Sequence, residues 1–157
     1  MTDPIRHAIT VALPVAEAFE LFTRGMGTWW PLATHSVAAD TLEGEVTVES
    51  LVFEERVGGS VFEITSDGSR GQWATVLVWE PPGGFVLAWK PNLREEPATE
   101  VDVRFEAEGD ATRVTLEHRG WERLGPAGAE KRSDYETGWP GVLSKFAAKA
   151  EGADTAA

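Results

Sequence analysis

Cysteine is missing from all 157 residues. That rules out a disulfide framework and thiolate chemistry, and it fits a reducing compartment. Basic residues are scarce: 14 Lys and Arg against 26 Asp and Glu leave a formal charge of −12. A chain of that sign repels a phosphate backbone and an anionic lipid surface, so no nucleic-acid partner is expected. Long apolar runs are missing as well. No stretch approaches the roughly 18 apolar residues of a membrane span. Met1-Thr2-Asp3-Pro4-Ile5-Arg6-His7 opens the chain without the apolar run of a secretory signal. The expectation is a cytoplasmic protein with no stable membrane insertion.

Compact catalytic signatures are missing too. There is no G-x-S-x-G elbow, no P-loop and no G-x-G-x-x-G. Three histidines, His7, His35 and His118, stand too far apart for a recognisable metal motif, so neither a metal nor a cofactor is expected. Gly58-Gly59 and Gly83-Gly84 read as hairpin turns rather than phosphate cradles.

What the chain does have is tryptophan, seven of them: Trp29, Trp30, Trp73, Trp79, Trp89, Trp121 and Trp139. Each brings a large apolar surface and one N–H that seeks a partner. With 42% hydrophobic residues, the chain has ample material for one domain with a large apolar interior, either solid or hollow around a guest.

The order of elements follows from periodicity. Ile5 to Ala12 reads as a strand, and Val15, Ala18, Phe19 and Phe22 recur at helical spacing after Pro14. Gly25-Met26-Gly27 breaks that helix, and a second brief helical turn is expected at Trp29-Trp30-Pro31. Strands then follow at 45–56, 61–65, 72–80, 85–90, 99–107 and 112–119, separated by short turns that permit only antiparallel pairing. Val101, Val103 and Phe105 alternate with charged residues, as do Val114, Leu116 and His118, so one sheet face is wet and the other needs a cover. Tyr135, Trp139, Val142, Leu143 and Phe146 share a helical face between about 129 and 150 and supply it. Pro140 predicts a kink or a start in that helix, and Ser133 with Glu136 is a possible capping box. The domain is expected over 5–150, with an irregular tail at 151–157. The fold class is α+β.

Several short motifs share an order with a known family. They are Pro14 with Phe19-Glu20-Leu21-Phe22-Thr23, then Trp29-Trp30-Pro31, Glu54-Glu55-Arg56-Val57-Gly58-Gly59, Trp79-Glu80-Pro81-Pro82, Trp89, Thr112-Arg113-Val114-Thr115-Leu116, and Gly138-Trp139 with Leu143. Over residues 5 to 150 the chain resembles the START-like (SRPBCC) superfamily, and within it the branch related to the activator of heat-shock protein 90 ATPase. The resemblance implies a helix-grip fold like that of the birch pollen allergen. A curved antiparallel sheet of about seven strands would wrap a long C-terminal helix, with two short helices after the first strand. It further implies a cavity between sheet and helix that accepts an apolar or aromatic small molecule. Alternatives within the family are a polyketide cyclase or aromatase and a chaperone co-activator with a chaperone as partner; the protein would be a monomer or a homodimer.

The candidate ligand-binding residues are Trp29, Trp30, His35, Trp73, Trp79, Trp89, His118, Tyr135 and Trp139. Indoles stack on an aromatic guest and orient its oxygens through their N–H groups; the competing reading is that they fill the core. His118 and Tyr135 are the catalytic candidates, His118 because strand parity puts its imidazole beside Leu116 on the apolar face. The alternative for His118 is a structural, hydrogen-bonded histidine. Parity puts Trp73, Leu77 and Trp79 on one side of their strand. Most carboxylates read as solvated surface, with Glu49 and Glu63 as exceptions if the sheet bends them inward.

Overall fold

The computed structural model describes residues 4–30, 48–89 and 98–155. Strand β1 (Ile5–Val11) ends where Pro14 opens helix α1 (Val15–Phe22), which buries Ala18, Phe19 and Phe22. A single 3-10 turn (Met26–Thr28) follows, with Trp29 and Trp30 just beyond it. Six further strands come next: β2 (Val48–Phe53), β3 (Ser60–Thr65), β4 (Arg70–Glu80), β5 (Gly84–Trp89), β6 (Thr99–Glu108) and β7 (Ala111–Arg119). A 3-10 segment (Trp121–Ala127) leads into the long helix α2 (Gly128–Thr155).

All seven strands belong to one antiparallel sheet in the order β1-β7-β6-β5-β4-β3-β2. The meander from β2 to β7 follows chain order, and only β1 crosses over, pairing with β7 from Ile5 opposite His118 to Val11 opposite Thr112. Curled into a half-barrel, the sheet holds α2 in a helix-grip arrangement. Val101, Val103, Phe105, Val114, Leu116 and His118 are buried on its inner face against Trp139, Val142, Leu143 and Phe146 of α2. The outer face of β6 and β7 is polar, as alternation requires, and Arg119 there bridges Glu100 at 3.1 Å and Asp102 at 2.9 Å.

Three expectations change. The second short helical turn falls on Met26–Thr28, before Trp29-Trp30, because the segment read as a breaker winds into it. Strand β4 does not keep a single parity, because it carries two bulges. Trp73 is the extra residue where Val61 and Phe62 of β3 face Ala74 and Gln72, and Leu77 is the extra residue opposite β5. A bulge inserts one residue and turns the following side chains to the other face. Trp73, Val76 and Trp79 therefore all join the core side, while Leu77 is 44% exposed. Helix α2 also begins earlier than the capping signal suggests. Gly128 is its first residue, so Ser133 and Glu136 lie inside it; the Ser133 carbonyl accepts from the Thr137 hydroxyl, and Glu136 pairs with Arg132. The helix passes through Pro140 and runs to Thr155, beyond Ala150.

Candidate functional site

The inner face of the half-barrel divides into two aromatic regions of different chemistry. In one, phenyl rings dominate: Phe19 and Phe22 of α1, Phe53, Phe85, Phe105 and Phe146, with centroid separations of 5.0–6.2 Å. Trp79 belongs here, 5.1 Å from Phe19 and 5.7 Å from Phe53. This region has no charged side chain among those rings and reads as core.

The other region is built of indoles with polar tips. Trp30 lies 5.0 Å from Trp73, 6.2 Å from Trp89 and 5.9 Å from Trp139, measured between ring centroids. Trp73 and Trp89 are 6.0 Å apart, and Trp89 and Trp139 5.9 Å. Trp29 stands between the two regions. Its ring is 5.7 Å from Trp30 and 5.2 Å from Phe146, and its N–H donates to the Leu21 carbonyl at 2.9 Å, which ties it to α1.

Each of three indoles on regular elements is oriented by a hydrogen bond. Trp73 of β4 donates to Oε1 of Glu63 on β3 at 2.7 Å, and Glu63 is fully buried. Trp89 of β5 donates to the Tyr135 hydroxyl of α2 at 3.0 Å. Trp139 of α2 donates to Nδ1 of His118 on β7 at 3.0 Å. Buried N–H groups left unpaired are costly, so these bonds select one orientation of each ring. Two of the three also join the sheet to α2.

His118 is fully buried, and both of its ring nitrogens are engaged. An indole N–H can only donate, so Nδ1 must present its lone pair to Trp139. The proton of the neutral ring then sits on Nε2, which lies 2.7 Å from Oγ1 of Thr99, and the Thr99 hydroxyl turns onward to the Trp89 carbonyl at 3.4 Å. A second ring proton on Nδ1 would face the indole N–H. Burial pushes the imidazole pKa down from 6.5 to about 3, so the ring is neutral at physiological pH.

The structure thus brings together Trp30, Trp73, Trp89, His118, Tyr135 and Trp139, and it separates Trp79 from them. His35 lies outside the described residues. Of the two carboxylates singled out, Glu63 faces inward and Glu49 outward. Sequence reasoning missed Trp121 and Thr99 as parts of this region. Gly120, with φ of 92°, turns the chain sharply after β7, and that left-handed value favours glycine. The turn folds Trp121 back over His118 at 4.1 Å, with its N–H on the His118 carbonyl at 2.9 Å. The Gly120-Trp121 pair directly after a strand was the available signal. Among the described residues no cluster of His, Cys, Asp or Glu is placed to hold a metal ion. No helix among them is long and apolar enough to cross a membrane.

Comparison with solved structures finds the same architecture repeatedly. The self-sacrificing resistance protein CalC from Micromonospora echinospora is 28% identical, with 94% of each chain covered and a TM-score of 0.68. The anthrahydroquino-γ-pyrone synthase Txn09 is also 28% identical, covering 93% of this chain and 96% of its own, with a TM-score of 0.62. The Aha1 dimer from Colwellia psychrerythraea shares the fold at 17% identity, with 93% and 94% coverage and a TM-score of 0.63. No curated protein matches the chain. Residues 12–151 match the family described as Activator of Hsp90 ATPase homolog 1-like protein, and the chain belongs to that family.

Proposed function

We propose that this domain binds a planar aromatic small molecule at the indole-lined end of the half-barrel. The observation that carries the reading is the convergence of Trp73, Trp89 and Trp139 around Trp30, beside Tyr135 and His118, with the first three indoles aimed by hydrogen bonds, two of them buried. A core filled only for stability has no need of so many N–H groups, each requiring a partner. Small-molecule sites combine aromatic walls with a few fixed polar groups, as here. The likeness to Txn09, whose name specifies a fused aromatic product, supports an aromatic guest. CalC, at the same identity, is named a self-sacrificing resistance protein, which connects a similar chain with protection against a toxic compound.

In this reading His118 is a positioning residue. With Nδ1 occupied by Trp139 and its pKa near 3, it holds the indoles in place and accepts no proton from a substrate. The second reading is a cyclase-type enzyme in the same space, and the likeness to a synthase favours it. There the protein contributes confinement, and the Tyr135 hydroxyl is the polar group that assists enolisation.

The test is a fluorescence titration of the protein with anthraquinone, naphthol and flavonoid-type probes. Saturable quenching of tryptophan emission is the expected result. Strictly linear quenching by the whole set removes the binding proposal. Turnover of a poly-β-keto substrate that drops in Tyr135→Phe and survives in His118→Asn would move the assignment to the second reading.

A further inference from the structure

The four indoles are not equivalent in how the chain carries them. Trp73 and Trp89 stand on central strands of the sheet, and Trp139 stands on α2. Trp30 stands on neither strand nor helix. It follows the three-residue 3-10 turn, and its backbone N–H returns to the Met26 carbonyl at 3.0 Å. Its ring nonetheless occupies the middle of the group, in contact with all three others. It is also the most exposed of the four, at 8%, against 2% for Trp73, 6% for Trp89 and 3% for Trp139.

From this we infer that Trp30 is a built-in surrogate for the ligand: a plug whose indole fills the slot between Trp73, Trp89 and Trp139, and which a flat aromatic molecule displaces on binding. The inference rests on the binding reading above and adds two things to it, the shape of the guest and the step that admits it. The slot is shaped by a bicyclic ring, so the guest is a flat fused ring system of at least indole's area. It meets Trp73 tilted and Trp139 edge-on, as Trp30 does at interplanar angles of 57° and 87°. Both geometries are favourable for aromatic pairs.

A plug has an energetic signature. The site accepts ligand only in the fraction of molecules whose Trp30 has swung out, and the apparent affinity is weakened by that fraction. Removing the plug therefore tightens binding, whereas removing a wall residue that stacks on the ligand weakens it. The sign of the effect separates the two roles.

The experiment titrates 2-naphthol into wild type, Trp30→Ala and Trp30→Leu, following the indole N–H resonances of Trp73, Trp89 and Trp139 by NMR. The expected result is weak saturable binding to wild type and binding at least about ten-fold tighter to Trp30→Ala, with the same three resonances moving in both. Equal or weaker binding to the variant, movement of other resonances, or binding by the variant alone overturns the plug. Should neither variant fold, the wild type decides. With 2-naphthol bound, the Trp30 resonance must become accessible to a water-soluble paramagnetic agent, and continued protection overturns the inference. Silence of the wild type toward every aromatic probe defeats the binding proposal itself, whereas tight wild-type binding that weakens in Trp30→Ala defeats only the plug.

Discussion

The indole N–H of Trp139 donates to Nδ1 of His118 across 3.0 Å, so one hydrogen bond fixes the tautomer of a fully buried imidazole and joins α2 to β7. The unfolded chain imposes no such condition, and there His118 titrates near 6.5. With the native pKa near 3, the unfolded state binds the extra proton below pH 6.5 while the native state does not. Stability therefore falls as pH drops from about 6.5 toward 3, by roughly 1.4 kcal/mol per unit from this group, and is independent of it above 7. Denaturant melts of wild type and His118→Asn between pH 7.5 and 4.5 measure the difference. Parallel curves for the two proteins would exclude the linkage.

Glu63 places a buried carboxylate oxygen 2.7 Å from the Trp73 N–H. Glu63→Gln keeps a carbonyl acceptor for that donor, while Glu63→Leu leaves the N–H buried and unpaired at a cost of roughly 1–3 kcal/mol. The leucine variant is expected to unfold at clearly lower denaturant concentration than the glutamine variant. The reverse order would show that the Trp73 bond is not what the carboxylate is there for.

Tyr135 is the hydroxyl acceptor for Trp89 and lies on the first turns of α2, most of whose other residues are exposed. Tyr135→Phe retains the ring and removes the acceptor, costing about 1 kcal/mol. Hydrogen exchange of the Trp89 indole N–H and of the α2 amides before Trp139 should accelerate together. Faster exchange at Trp89 alone would mean that this bond does not hold the front of the helix.

Glycines of α2 divide by what surrounds them. A methyl group at Gly128 would collide with the Trp121 carbonyl, and at Gly141 it would meet nothing within 4 Å. Gly141→Ala should stabilise by about 0.5–1 kcal/mol through helix propensity. Gly128→Ala should destabilise by roughly 1–3 kcal/mol, since the Trp121 turn must move away from His118. Thermal melts read both signs.

How much of this was legible in the chain depended on local regularity. Strands β6 and β7 alternate without interruption, so the placement of His118 beside Leu116 on the inner face followed from parity alone. Strand β4 defeated the same argument. Its two bulges sit at Trp73 and Leu77, and no residue pattern there distinguishes an inserted position from a paired one. The helix start near Ala129 was legible from periodicity, and the later start that Ser133 and Glu136 offered did not hold, because both lie after a turn already wound from Gly128. At the site, the residue types were visible and their pairings were not. Which acceptor the N–H of Trp89 or Trp139 meets depends on how α2 lies across the sheet, whereas Thr99 enters through the pairing of β6 with β7 and Trp121 through the turn at Gly120.

The pairing of β1 with β7 has a consequence for synthesis of the chain. During translation the first strand emerges more than a hundred residues before its partner, since Val11 must wait for Thr112 and Ile5 for His118. At about 5–20 residues per second, that delay is on the order of 5–20 seconds. Throughout it, the nascent first strand carries Ile5, Ile9 and Val11 with no β7 to pair with. Co-translational engagement by a holding factor is expected to concentrate on this strand and to end once Arg119 clears the ribosomal exit tunnel.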